Sequence, residues 1–588
     1  MCGLAGLMTR PGVTLDETVP AALIAALRHR GPDGDGCYRN GNVTLVHTRL
    51  SIIDLPTGGQ PLYGPGDTAI VVNGEIYNYI ELRAAMPDAA FKTGSDCEPL
   101  LHLYDRHGLD FLDDTRGMYA LALHDPAAGR LILARDPFGI KPLYIAETAL
   151  GLAFASEPQA LIAAGLVTPD PQALPITELL QLQFTTGART VFGGITRVLP
   201  GEMIIVEDGV IVARQRRAAL PPAAIRPQTE TEALGTLAAL LSDTITIHQR
   251  ADVPYGLFLS SGIDSAAVLA CMARTNDRPV LTFTAGFPGR RVHDERGAAE
   301  RLAQAVGARY HEVPVSDQDF WSLLPQICAV VDDPVADPAI VPTFMLAREA
   351  RREVRVVLSG EGGDEMFGGY GRYRRQMRPW WLGGRTRRRR GPCDGLDLLR
   401  HGSAGWRDGL GAAEIASRGE GRSRLQAAQA LDFVDWLPHA LLTKLDRCLM
   451  AWGVEGRTPF LDPVVAAFAY RLPDRLKIQG SSCKYLMRRW LEQNFPAAEP
   501  FAPKKGFTVP IGEWLAQANP RLGDLVAADP GIAAWCRPET VRAVFAGGDR
   551  KQRELQWRLL FLALWGRRHI RGLAPDGDVL HCLSAPQG

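Results

Sequence analysis

Hydrophobic and polar positions along the chain fall into two textures. From the N-terminus to about residue 205, short apolar runs alternate with Gly, Asn and Asp-Pro turns. Val43 to Val46, Ala69 to Val72, Tyr119 to Leu123 and Arg130 to Leu133 carry the β-branched and aliphatic pattern of strands. Ser95 to His107 instead places Leu100, Leu101, Leu103 and Tyr104 at helical spacing. Arg214 to Gln228 turns basic and then rich in Pro and Ala, which predicts a linker. Beyond it the rhythm changes. Thr229 to Gln249 predicts a long amphipathic helix, Tyr255 to Leu259 a buried strand, and a helix follows from Ser265. Val280 to Thr284 and Val354 to Leu358 are further strands, and the chain is mainly helical after about residue 375. Strands alternating with helices predict a parallel α/β sheet.

Composition narrows the class. The chain has 588 residues, which as a length prior is three to four domains of ~150 residues or two to three larger ones. Basic and acidic residues balance at 65 each, so a polycationic nucleic-acid binder is not expected. The one dense basic run, Arg385 to Arg390, sits among Gly and Pro and reads as a solvated loop. No basic segment followed by an apolar one opens the chain, so no signal peptide is expected. The most membrane-like window, Gly256 to Ala273, contains Ser260, Ser261 and Asp264 and reads as a buried strand–loop–helix. Ten cysteines form no C-x-x-C pair, and twelve histidines form no ligand pattern. Reduced thiols and a cytoplasmic protein are the expectation.

Chemistry first shows at the second residue. With Met1 removed, Cys2 would carry a thiol and a free α-amine, and the amine can take the thiol proton. Polar clusters in turn-like contexts follow: Arg28-His29-Arg30-Gly31-Pro32-Asp33, His47-Thr48-Arg49-Leu50-Ser51-Ile52, Asn73-Gly74-Glu75-Ile76-Tyr77-Asn78, Gly94-Ser95-Asp96, and Arg135 to Tyr144. Together with Cys2-Gly3 they resemble the class II glutamine amidotransferase domain, whose nucleophile is N-terminal. The resemblance implies an αββα sandwich of the Ntn-hydrolase type. It implies that Cys2 attacks glutamine and that Asn73 and Gly74 hold the oxyanion. It also implies that Arg49 takes the substrate carboxylate, with Glu75 and Asp96 on its ammonium.

The second half opens with Leu259-Ser260-Ser261-Gly262-Ile263-Asp264-Ser265 between a strand and a helix. Small residues there let the backbone approach a phosphate, and the helix N-terminus supplies donors. The loop resembles the S-G-G-x-D-S pyrophosphate loop of ATP pyrophosphatases, with Ser261 where the first Gly usually stands. Ser359-Gly360-Glu361-Gly362-Gly363-Asp364-Glu365 follows the strand ending at Leu358. Asp264 and Asp364 are suited to share a Mg²⁺ that also holds phosphate. Lys444-Leu445-Asp446-Arg447, Arg457 to Asp462 and Lys484 to Arg488 complete the pattern.

Over about residues 2–515 the chain resembles the glutamine-hydrolysing asparagine synthetase family. The resemblance implies a glutaminase domain over 1–212, a linker over 213–230, a Rossmann-like ATP-pyrophosphatase domain with a largely helical C-terminal part over 231–570, and a tail over 571–588. It implies ATP and Mg²⁺ as cofactors, with glutamine, aspartate and ATP as substrates. Leu259, Ser260, Ser261, Gly262, Asp264, Ser265, Ala285, Ser359 and Gly360 would line the nucleotide. Glu361 would serve intermediate formation and ammonia deprotonation, and Lys484 the pentavalent phosphorus and departing pyrophosphate. Ala285 is smaller than the branched aliphatic usual at its place. Lys504-Lys505-Gly506-Phe507 resembles a late loop of bacterial members and takes no role. A homodimer, no nucleic acid and no membrane are the partner expectations. The acceptor stays open between aspartate and another carboxylic acid, and a non-catalytic glutamine sensor is the reading from a different class. The intact set Cys2, Arg49, Asp96, Asp264, Glu361, Asp364 and Lys484 weighs against that sensor.

Overall fold

The computed structural model describes residues 2–289, 294–382, 384, 390–503, 508–518 and 520–585. The Lys504–Phe507 loop and all of the Arg385–Arg390 run except Arg390 lie outside them.

The N-terminal half is two six-stranded sheets packed face to face. One runs in spatial order Thr196–Arg197, Tyr144–Glu147, Gly151–Ala155, Gly3–Thr9, Val43–Arg49, Gly34–Asn40. The other runs Val210–Arg216, Glu202–Glu207, Arg130–Arg135, Gly117–Asp125, Ala69–Ile76, Leu62–Tyr63. Strand side chains alternate in direction, and this alternation sorts the apolar residues into layers. Leu4, Met8, Val43, Leu45, Val71, Ala120 and Leu133 fill the space between the sheets. Ala5, Leu7 and Val46 face outward onto the helix Thr18–Leu27. Ile70, Val72 and Leu121 face outward on the other side, onto Pro99–His107. The result is the αββα sandwich expected from the motifs.

The second half is built on a five-stranded parallel sheet in the order Arg309–Pro314, Leu281–Gly286, Tyr255–Phe258, Val356–Leu358, Glu455–Arg457. Helices cover it. Glu230–His248 begins with a capping box in which Thr229 and Glu232 satisfy each other's backbone N–H, and it buries Ala233, Leu237, Leu241 and Ile245 at helical spacing. Ile263–Thr275 is buried from Ser265 to Met272, as its small and apolar residues require. Strand order reverses between Tyr255–Phe258 and Val356–Leu358, and the C-terminal ends of these two strands open a crevice there, where open α/β sheets bind ligands.

Element boundaries shift by a few residues from the sequence pattern. The strand Val210–Arg216 crosses the expected domain boundary at residue 212. In the terminal segment 571–588, Asp578 caps the helix Val579–Ser584, which buries Val579, Cys582 and Leu583 in the main core. No helix among the described residues is long and apolar enough to cross a membrane.

The two halves meet through buried charge. Arg30 is fully buried and gives two N–H groups to Asp446, at 2.8 and 3.0 Å, and one to Glu157 at 2.7 Å. Arg447 binds Asp332 at 2.7 Å and Asp446 at 2.9 Å. Arg197 and Tyr144 both bind Asp333. Removing one member of such a network leaves its partners charged and dry. Asp446→Ala is therefore expected to destabilise the fold by about 3–5 kcal/mol, read as a lowered urea midpoint for the transition of the assembled chain.

Candidate active site

Two centres form, one in each half. The first lies where the Gly3–Thr9 strand of one sheet begins beside the Ala69–Ile76 strand of the other. Cys2 is buried, its backbone N–H donates to Asn73 Oδ1 at 3.1 Å, and its carbonyl accepts from Arg30 Nε at 3.1 Å. The Asn73 side-chain nitrogen is buried without a hydrogen-bond partner. A buried, unspent donor beside a thiol is poised for an oxyanion. Gly74 carries no side chain because a Cβ there would run into the Met118 carbonyl and sit 2.7 Å from Tyr119 Cα.

Burial pushes the Cys2 thiol up, so the thiol holds its proton until a base removes it. His47 is not that base: burial lowers its pKa to about 3, and its Nε2 faces the Val72 carbonyl at 3.2 Å. A carbonyl only accepts, so Nε2 carries the hydrogen and the ring is neutral. Arg49 gives its guanidinium to the carbonyls of Ile53, Asp54 and Leu55, at 2.6 Å for Asp54. These acceptors fix its direction without neutralising its charge. Glu75 and Asp96 face each other. Burial raises both carboxyls; the Asp96 charge raises Glu75 further, while a hydrogen bond from Glu75 works to lower Asp96. Asp96 is held by the Ile76 N–H at 2.8 Å. The first centre thus brings together all of the expected residues: Cys2, Arg49, Asn73, Gly74, Glu75 and Asp96.

The second centre lies in the sheet crevice. Gly262 caps the helix Ile263–Thr275, and Ser265 Oγ folds back to the Ser260 and Gly262 carbonyls at 3.1 and 3.0 Å, tightening the Ser260–Gly262 loop. Ser261 is not among the residues with positive φ, so its Cβ costs the loop nothing. The Ser359 loop touches this one: a Cβ on Gly360 would lie 2.9 Å from Asp264 Cβ and 3.0 Å from Ser265 N. Only a glycine lets the loops approach so closely. Leu259 and Ala285 are buried at the ends of neighbouring strands, and Thr284 Oγ1 donates to the Leu259 carbonyl at 2.7 Å.

Lys484 enters from the far side. Its ammonium pairs with Asp264 and, at 2.5 Å, with Asp364. Against the penalty of burial, these two carboxylates hold it protonated, above the ordinary lysine range. Its backbone φ is +55°, a conformation that favours glycine. The chain accepts that strain to place a cation here. Two carboxylates converging on one cationic centre, walled by Gly363 and Gly369, form a hard oxygen donor set that fits Mg²⁺ shared with phosphates. Among the described residues no group of three or more His, Cys, Asp or Glu side chains could hold a metal alone, so phosphate oxygens would have to complete the shell. Glu361 lies beside the buried pair Lys444–Asp337, whose contact is 2.9 Å, and burial raises its carboxyl.

Sequence reasoning did not single out several residues here. Glu295 accepts from the Ser261 N–H at 3.4 Å, and Asp337 pairs with Lys444 next to Glu361. Neither belongs to a recognisable motif. Glu455 and Arg457 reach the first centre from the second half, as described below.

The fold and these centres define a glutamine amidotransferase domain joined to a nucleotide-site α/β domain. Family comparison agrees: residues 1–216 match the glutamine amidotransferase domain family, and residues 236–567 match the asparagine synthase family. The chain belongs to the asparagine synthase family. It is 36% identical to a putative glutamine-hydrolysing asparagine synthetase of Mycobacterium tuberculosis H37Rv, over 100% of this chain and 99% of that protein. It is 33% identical to asparagine synthetase 1 of Bacillus subtilis 168, covering 88% of each chain. It is 30% identical to asparagine synthetase B of Escherichia coli K12, over 100% of this chain and 95% of that protein.

Proposed function

We propose that the chain makes asparagine from aspartate, with glutamine as nitrogen donor and ATP as activator. A glutaminase domain over 1–212 and a synthetase domain over 231–570 divide the work. In the first, the Cys2 amine, freed by loss of Met1, takes the thiol proton. The sulfur then attacks the glutamine carboxamide. Asn73 and Gly74 hold the oxyanion, ammonia leaves, and water releases glutamate from the γ-glutamyl thioester. Arg49 holds the glutamine carboxylate, and Glu75 with Asp96 its ammonium.

In the second domain the Ser260–Ser265 loop and Ser359-Gly360 cradle ATP, with the adenine against Leu259 and Ala285. The aspartate β-carboxylate attacks the α-phosphorus, and pyrophosphate departs toward Lys484. Mg²⁺ held by Asp264 and Asp364 would neutralise phosphate charge. Glu361, its carboxyl raised by burial, receives a proton from the attacking ammonia as the amide forms and AMP leaves.

The observation that carries this reading is the Lys484 ammonium clasped between Asp264 and Asp364 at the mouth of the Ser260–Ser265 loop, in one chain with a thiol beside an unspent Asn73 donor. The test is a product assay with glutamine, aspartate, ATP and Mg²⁺. Asparagine, AMP and pyrophosphate are expected in equal amounts. Glutamate release without asparagine would overturn aspartate as acceptor and point to another carboxylic acid. Absence of both glutamate and pyrophosphate release would overturn the enzymatic reading.

A further inference from the structure

Arg457 belongs by sequence to the synthetase domain, on the edge strand Glu455–Arg457 of the parallel sheet. Its side chain nevertheless ends in the glutaminase centre. The guanidinium is fully buried, its Nη2 lies 3.4 Å from Glu75, and it sits over the Tyr77 ring at 5.5 Å. Its Nε is fixed by Glu455 at 2.6 Å, and its Nη1 by the carbonyls of His248 and Arg250 at 2.9 and 2.7 Å. The fork is therefore clamped on three sides, with its remaining nitrogen turned to Glu75. That nitrogen makes no hydrogen bond of good geometry. The main chain of the same residue faces the other centre: the Arg457 carbonyl accepts from the Ser359 N–H at 2.9 Å, at the root of the loop that carries Gly360 and Glu361.

We propose that Arg457 is a positioning residue of the glutamine clamp, supplied by the synthetase domain, which fixes Glu75 and ties it mechanically to the nucleotide loop. The inference rests on the reading that Glu75 holds the glutamine ammonium. Glu75 stands buried against Asp96, with Glu455 also near. Three carboxylates in one dry pocket repel one another, and Arg457, with Lys141 on the Glu455 side, offsets them. The Arg457 charge works against the rise that burial and Asp96 impose on the Glu75 carboxyl, and its Nη2 fixes the side of the pocket on which that carboxyl sits. The rigid, planar guanidinium suits this role because its Nε and Nη1 are held by fixed partners, which leaves Nη2 aimed at Glu75. The glutaminase centre is thus incomplete without the second domain, and a displacement of the Ser359 loop is carried along one residue to Glu75.

The test uses the full-length chain, with steady-state kinetics on glutamine and, separately, on ammonia. Arg457→Gln is expected to raise the KM for glutamine about 10- to 100-fold. The kcat of glutamine hydrolysis should change far less, and ammonia-dependent synthesis should stay within about three-fold. Arg457→Lys keeps the charge without the fork and should recover part of the KM. Should Arg457→Gln fail to fold, Arg457→Lys alone carries the same comparison of KM with kcat. In a double-mutant cycle with Glu75→Gln, the second substitution should add little to the first. A KM for glutamine within two-fold of the parent in a folded variant, or fully additive effects in the cycle, overturns the inference. If the parent enzyme itself hydrolyses no glutamine, the reading of the clamp has failed instead, and the two failures are distinguished by that control.

Discussion

Cys2→Ala is expected to abolish glutamine use, by at least about 1,000-fold in kcat/KM, while synthesis from free ammonia continues at close to the parent rate. The asymmetry follows from the layout. The thiol has no substitute nearby: His47 is a neutral ring held on a carbonyl, and Cys97 is buried with its thiol on Asp96 at 3.4 Å and its pKa raised by burial. The crevice proposed for the nucleotide is built on another sheet, and the Cys2 Sγ faces the Leu50 carbonyl at 4.0 Å. Paired progress curves with glutamine and with ammonium chloride check the prediction. Equal loss with both nitrogen sources would contradict it.

The second large effect is expected at Lys484. Lys484→Met should lower pyrophosphate release by about 1,000-fold or more, because it removes the cation from a charged transition state in a dry cleft. It also leaves Asp264 and Asp364 facing incoming phosphates with one neutralising charge fewer. Glutamine hydrolysis at Cys2 should persist, since Lys484 touches no residue of the first centre. Measuring glutamate and pyrophosphate in one reaction separates the two. The opposite variants Cys2→Ala and Lys484→Met should thus each silence one half of the chemistry. Retained pyrophosphate release in Lys484→Met would show that another cation serves the departing group.

Much of the fold was legible because its signals are local. Apolar runs bounded by turn residues mark Val43 to Val46 and Ala69 to Val72 as strands. The capping pair Thr229 and Glu232 marks a helix start. The small residues of Ser260–Ser265 announce a loop that approaches an anion. Boundaries drifted where tertiary packing overrode local preference. The terminal segment 571–588 gives little local sign of the buried helix Val579–Ser584, whose three apolar residues count only once the helix Asp317–Ala329 lies under them. Glu295 and Asp337 were silent for the same reason: a carboxylate's partner across the fold leaves no trace in its neighbours along the chain.

The sequence alone determined which reactive residues this protein has: a thiol at the second position, Arg49, Glu75 and Asp96 in separate polar clusters, and two loops at strand ends with small residues and an aspartate in each. Each cluster is legible from residue type and short spacing within it; that the clusters act together is what the family resemblance implied. Only the tertiary structure decided how the two centres are joined. Arg457 was visible as part of a motif, yet its motif neighbours said nothing of Glu75. The parallel sheet places Glu455–Arg457 at an edge, and burying that edge against the first domain leaves the guanidinium one carboxylate short until Glu75 arrives. A buried charge must find its counterpart wherever the fold brings one, and that demand acts across space with no spacing rule to betray it.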